Sequence, residues 1–179
     1  MQIENNTLLY KRNATVDRFH PNPEKENALM WKCNTGRLCT DNGTEVIAYQ
    51  YLNLPHHIFK NGSWKDIDKE MTFNGVDLKS NCFGFVFANN EFWIDPIEDY
   101  KYANKNTIDL ILENDGYKKI NQPIGNSIAV FIKNGLYTHT AKTLNGNTWV
   151  SKGGINKVSE TMLDDEIKRY GEAVFYKKK

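Results

Sequence analysis

"SIAVFIKNGLYTHTAKTLNGNTWVSKGG", residues 127–154, holds the densest structural signal in the chain. Two apolar runs, 128–132 and 136–141, meet at Asn134-Gly135. That dipeptide favours the left-handed backbone that a two-residue hairpin turn demands. A third run, 148–152, follows the turn signal "LNGN" at 144–147. The stretch reads as an antiparallel meander of three strands.

On either side of the meander the periodicity changes. Upstream, "NKNTIDLILENDGY", 104–117, predicts a helix that Asn104 or Thr107 caps and Gly116 ends. Downstream, "SETMLDDEIKRYG", 159–171, predicts a helix capped by Ser159, and "EAVFYK", 172–177, a closing strand. Further upstream, "FGFVFANNEFWI" has helical spacing at Phe83, Val86 and Phe87 but strand-like composition. The first eighty residues read as irregular: a polar arm over 1–30, turn signals at Thr35-Gly36, Asn42-Gly43 and Asn61-Gly62, and one strand in "EVIAYQYL". The plan is α+β. It divides into an irregular extension or lobe, 1–75, and an ordered core, 76–179.

With 179 residues, 40% of them hydrophobic, the chain can bury a sizeable core. A formal net charge of +1 offers no electrostatic case for nucleic acid. No stretch approaches the ~18 apolar residues of a membrane span, and the first residues lack the apolar run of a Sec signal. The expected location is cytoplasmic, or outside the cell by a dedicated export route. Cys33, Cys39 and Cys82 are an odd number of cysteines. Cys33 and Cys39 could pair or stay free, and their spacing is not a zinc pattern. No cofactor or metal is expected.

Candidate chemistry centres on "KSNCFGFVF", 79–87. Cys82 stands where a polar loop turns into an apolar element. A helix N-terminus there would lower the thiol pKa and aim backbone N–H groups at an oxyanion. Gly84 would let a substrate backbone, or a neighbouring strand, come close. Of four histidines, His139 in "YTHTAK" is the best base, with Tyr137 and Ala141 on its own strand face. The imidazole needs an orienting partner. A three-residue turn at 145–147 pairs Ser151 with Ala141. A two-residue turn instead brings Lys152 opposite His139, and only Ser151 can accept an imidazole hydrogen bond. Trp93 and Trp149 read as core.

The combination of "NCFGF", "GNSIAVFIKNGLYTHTAK" and "NGNTWVSKGG" resembles the NlpC-type papain-like cysteine peptidases, over about residues 78–155. The resemblance implies a papain-like α+β fold, with a nucleophile helix packed on an antiparallel meander. It also implies Cys82 as nucleophile, His139 as base and Ser151 as third residue. The chain departs from the family pattern at Asn81, Phe83 and Asn126. The activity so implied is that of a cysteine hydrolase, an amidase or endopeptidase of peptidoglycan stem peptides. As an exported antibacterial effector it would have an immunity partner. Two rivals stand beside it: a protease or deamidase toxin acting on protein, and a non-catalytic binding module with Cys82 buried.

Overall fold

The computed structural model describes residues 11–20, 25–52, 54–67, 75–95 and 106–179. Asn134 and Gly135 have φ of 53° and 74° and join β7 (Ser127–Lys133) to β8 (Leu136–Thr143), as the dipeptide predicts. β9 (Trp149–Lys152) continues the meander, and β10 (Val158–Thr161) adds a fourth strand. β11 (Glu172–Lys178) returns along the far side of β7, and β6 (Tyr117–Ile120) closes the row. The six-stranded order is β10-β9-β8-β7-β11-β6, and every adjacent pair is antiparallel.

The first part of the chain is not irregular. β1 (Lys11–His20) and β2 (Leu29–Cys39) pair along their length, and β3 (Glu45–Tyr51), β4 (His57–Lys60) and β5 (Ser63–Asp66) complete a second antiparallel sheet. The Asn42-Gly43 and Asn61-Gly62 signals mark real turns; Thr35-Gly36 lies inside β2 and pairs on both sides. The part of the expected arm from Lys11 to His20 is therefore strand, held by hydrogen bonds to β2. Residues 1–10 of that arm lie outside the described residues.

Helices are few and short. α1 (Cys82–Phe87) stops at Ala88, where Asn89 and Asn90 turn the chain with φ of 51° and 62°. α2 (Thr107–Asn114) is capped by Asn106, whose side chain accepts from Ile108 N–H at 2.8 Å. α3 (Leu163–Tyr170) begins four residues later than Ser159, because 158–161 pair with β9 instead. The architecture is thus mostly antiparallel β, in two sheets. It corrects the expected papain-like α+β fold, in which a helix packed on a meander is the defining unit.

The larger core joins the sheets. Leu38, Val46 and Ala48 of the first sheet meet Phe83, Phe87, Ile108 and Ile111 of α1 and α2, with Ile128 and Val130 of β7 beyond them. A smaller core covers the other face of the six-stranded sheet. There Ala129, Phe131, Ala141 and Trp149 pack under Leu163 and Tyr170 of α3. Trp93 and Trp149 are buried, as their apolar surroundings in sequence suggest.

Two polar devices hold α1 in place. Asn81 Oδ1 accepts from Gly84 N–H at 2.9 Å and Ile94 N–H at 3.2 Å, while its Nδ2 donates to Ile94 O at 2.7 Å. The side chain acts as a helix cap and as a strand partner at once. Lys152 Nζ, fully buried, donates to the carbonyls of Asp77, Ser80 and Gly154 at 2.6, 2.5 and 2.7 Å. An ammonium has three N–H groups, and here each finds one acceptor.

Removing that cation leaves three inward carbonyls and a void. Lys152→Ala is expected to lose about 3 kcal/mol or more in urea unfolding; a loss under about 1 kcal/mol would show that the staple is dispensable. Gly84→Ala is expected to abolish the folded state, read by near-UV circular dichroism, because a Cβ there would stand 1.5 Å from Phe92 O.

Candidate functional site on the α3 face of the six-stranded sheet

The meander sorts its side chains onto two faces. Ala129, Phe131, Ala141 and Trp149 face α3; Ile128 and Val130 face α1 and α2. His139 pairs with Phe131, and its ring stacks on Tyr170 with centroids 4.0 Å apart. It belongs to the α3 face. Cys82 belongs to the opposite core and approaches the backbone of Thr140, the next residue along β8. The sheet stands between thiol and imidazole. The structure therefore does not bring together the nucleophile and base expected from sequence.

A bulge in β8 explains part of the difference. The register shifts where Phe131–His139 gives way to Ile132–Tyr137, leaving Thr138 as the extra residue. Thr138 Oγ1 donates to Phe131 O and Tyr170 O at 3.2 and 2.5 Å. Tyr137 consequently leaves the face of His139 and hydrogen-bonds Asp109 on α2. Strict alternation would have kept Tyr137 and His139 together.

Cys82 is poorly placed for thiolate chemistry in its own right. It is 7% exposed, and burial pushes the thiol up to about 12, although the Thr140 backbone and Lys152 pull the other way. The close approach that Gly84 permits is made by the Phe92 carbonyl, not by a substrate. Burial also lowers Lys152 to about 8, against the pull of Asp77 and Cys82. Its three carbonyl contacts make it a structural cation rather than a partner of His139.

Ser151 does share the face of His139. It pairs with Ala141, the register that favoured it over Lys152, although the loop between the strands runs from 144 to 148. Its hydroxyl serves another group. Ser151 Oγ donates to Glu166 Oε1 at 3.1 Å, and Thr161 Oγ1 donates to the same oxygen at 2.5 Å. Glu166 Oε2 stands 3.1 Å from His139 Nε2, within ion-pair reach, and both atoms are buried. Glu166 is 7% exposed and His139 2%. Burial lowers the imidazole pKa, while the Glu166 charge raises it and loses.

Glu166, Thr161 and Tyr170 complete a cluster that the sequence pattern did not single out. The signal was present in α3. Leu163, Glu166 and Tyr170 recur at spacings of three and four, so a carboxylate sits on the helix's apolar stripe. An acid in that position needs partners, and the meander supplies them.

Above the cluster lies a cavity of about 660 Å³ between the β8–β9 loop, β10 and α3. Glu160, Asp165, Glu166 and Arg169 give its wall three carboxylates and one guanidinium. Thr148 and Met162 line it further, and Met162 is 70% exposed. Cys33 and Cys39, the remaining cysteines, are not joined in a disulfide. They lie six residues apart on one extended strand, about 20 Å at the usual rise, which no disulfide spans. Among the described residues no helix is long and apolar enough to cross a membrane. Nor does any group of three or more His, Cys, Asp or Glu converge as metal ligands.

A family profile covers residues 76–178, and its description is a domain of unknown function, DUF7689. The chain belongs to that family. No curated protein and no solved structure matches it.

Two measurements check this geometry. At pH 7, Cys82 should react with iodoacetamide far more slowly than a model thiol, in a Cys33→Ala, Cys39→Ala background; labelling at or above the model rate would restore an active thiolate. For His139, both states are neutral above the ordinary value of 6.5. Below it the unfolded chain takes up a proton that the native ring resists. Stability should therefore fall by up to about 1.4 kcal/mol per pH unit as pH drops from 6.5, until the native ring protonates. His139→Gln should flatten that slope in urea titrations; an unchanged slope would place the proton uptake elsewhere.

Proposed function

We propose that this domain is a ligand-binding module rather than a thiol hydrolase, and that its site is the cavity around Glu166. One observation carries the reading: Cys82 and His139 occupy opposite faces of one sheet, so these two do not form the thiol–imidazole pair that acyl transfer by Cys82 needs. The polar chemistry that the meander assembles lies with Glu166 instead.

The wall chemistry sets the ligand class. Three carboxylates against one guanidinium leave the cavity net negative. Glu166 is the most constrained of them, with one oxygen held by two hydroxyls and the other buried 3.1 Å from His139 Nε2. The carboxylates of the wall together attract a donor cation. Met162 can lie along an alkyl stem, and Thr148 and Thr161 offer further hydrogen bonds. The ligand group is an alkylammonium or a guanidinium on an aliphatic chain.

Calorimetric titration with lysine amide and arginine amide tests this directly. Saturable binding is expected, weakening as salt rises and falling at least tenfold in Glu166→Gln. Cys82→Ala should bind as the wild type does. In parallel, incubation with peptidoglycan should release no fragments detectable by mass spectrometry. Fragments from wild type that vanish in Cys82→Ala would overturn the binding reading in favour of hydrolysis.

A further inference from the structure

β10 is the outer strand of the six-stranded sheet. Val158, Ser159 and Glu160 are exposed. Among the described residues, the ladder of 158–161 runs to β9 alone. An exposed edge is a template for one more strand. This edge also joins two cavities. Glu160 and Thr161 border the acidic one around Glu166. Val158 borders a second, of about 720 Å³, on the side of the first sheet. That second cavity carries Leu52 and Leu54, 45% and 52% exposed, beside Val76 and Leu78.

Thr161 pairs with Trp149 and faces α3, whereas Val158 pairs with Lys152 and faces the other side of the sheet. A chain paired along β10 would therefore set the side chains of one face against an apolar surface and those of the other against an acidic one. We infer that β10 receives an extended peptide by strand addition, with a basic side chain entering the acidic cavity beside Thr161 and an apolar side chain, three positions away and on the other face, meeting Leu52, Leu54 and Val158. Backbone pairing would supply affinity, and the alternating pockets would supply sequence preference. Charge complementarity selects the basic residue: Glu160, Asp165 and Glu166 outnumber Arg169 in its cavity. The inference rests on the cavity reading above and adds the polymer that carries the cation.

The test compares three probes by backbone-amide NMR and hydrogen exchange on the full chain. The first is a capped hexapeptide, Thr-Lys-Thr-Thr-Leu-Thr. The second is the same peptide N-methylated on the amides that would face β10. The third is lysine amide. Expected are a peptide affinity at least tenfold above that of lysine amide and at least tenfold slower exchange of the β10 amides not bonded to β9. N-methylation should abolish both gains, and it leaves the protein untouched. Equal affinity for peptide and lysine amide, without β10 protection, would overturn strand addition and leave the cavity reading standing. Binding of neither probe would sink both. Concentration-dependent β10 protection without peptide, accompanied by dimer in sedimentation, would give the edge to a second copy of this chain and overturn the peptide assignment.

Discussion

From His139 to Ala141, strand β8 is buried on both faces, and each of these side chains must commit to one of two separate cores. Thr140 lies against the layer that holds Cys82, α1 and α2; His139 and Ala141 lie under α3. A one-residue difference in position is therefore a difference of environment as complete as two distant sites would give. The bulge at Thr138 makes that assignment by absorbing one residue, so that Tyr137 reaches Asp109 while His139 turns to Tyr170.

The two faces solve different polar problems. On the α1 side, Asn81 and Lys152 spend their hydrogen bonds on backbone groups of the loops around Ser80, Ile94 and Gly154. Those bonds are fully used, which makes that face scaffold. On the α3 side, Glu166 sets one oxygen against two hydroxyls and the other 3.1 Å from the His139 imidazole, and a cavity opens over the cluster. Charged groups next to open volume are what a binding site offers and a core does not. The contrast places the cysteine, so conspicuous in the sequence, in the scaffold, and a glutamate inside an acidic run beside the open volume.

The local rules worked where a residue type forces a backbone shape. Asn-Gly at 134–135 and 61–62 turned the chain as φ above zero requires, and the strands on either side of 134–135 followed. The register of Ser151 against Ala141 was also readable, because only one turn option kept a hydroxyl on the histidine's face. Where pairing partners lay far apart, the same rules failed. β1 looks like a polar arm because its strand character comes from β2, nine or more residues away, rather than from its own alternation. Residues 159–161 look like the start of a helix because Ser159 suits a cap, yet β9 claims them.

By itself the sequence determined the turns, the antiparallel meander over 127–152, the closing strand and the pool of residues from which a site could be built. Those features depend on φ preference and on alternation within a few positions. Tertiary structure alone decided that Cys82 and His139 are separated by the sheet, that Glu166 joins His139 and Ser151, and that a second sheet covers the helices. Each of those outcomes turns on which face of a doubly buried strand a side chain takes. A single bulge or a distant pairing sets that choice, and neither leaves a mark in the local pattern.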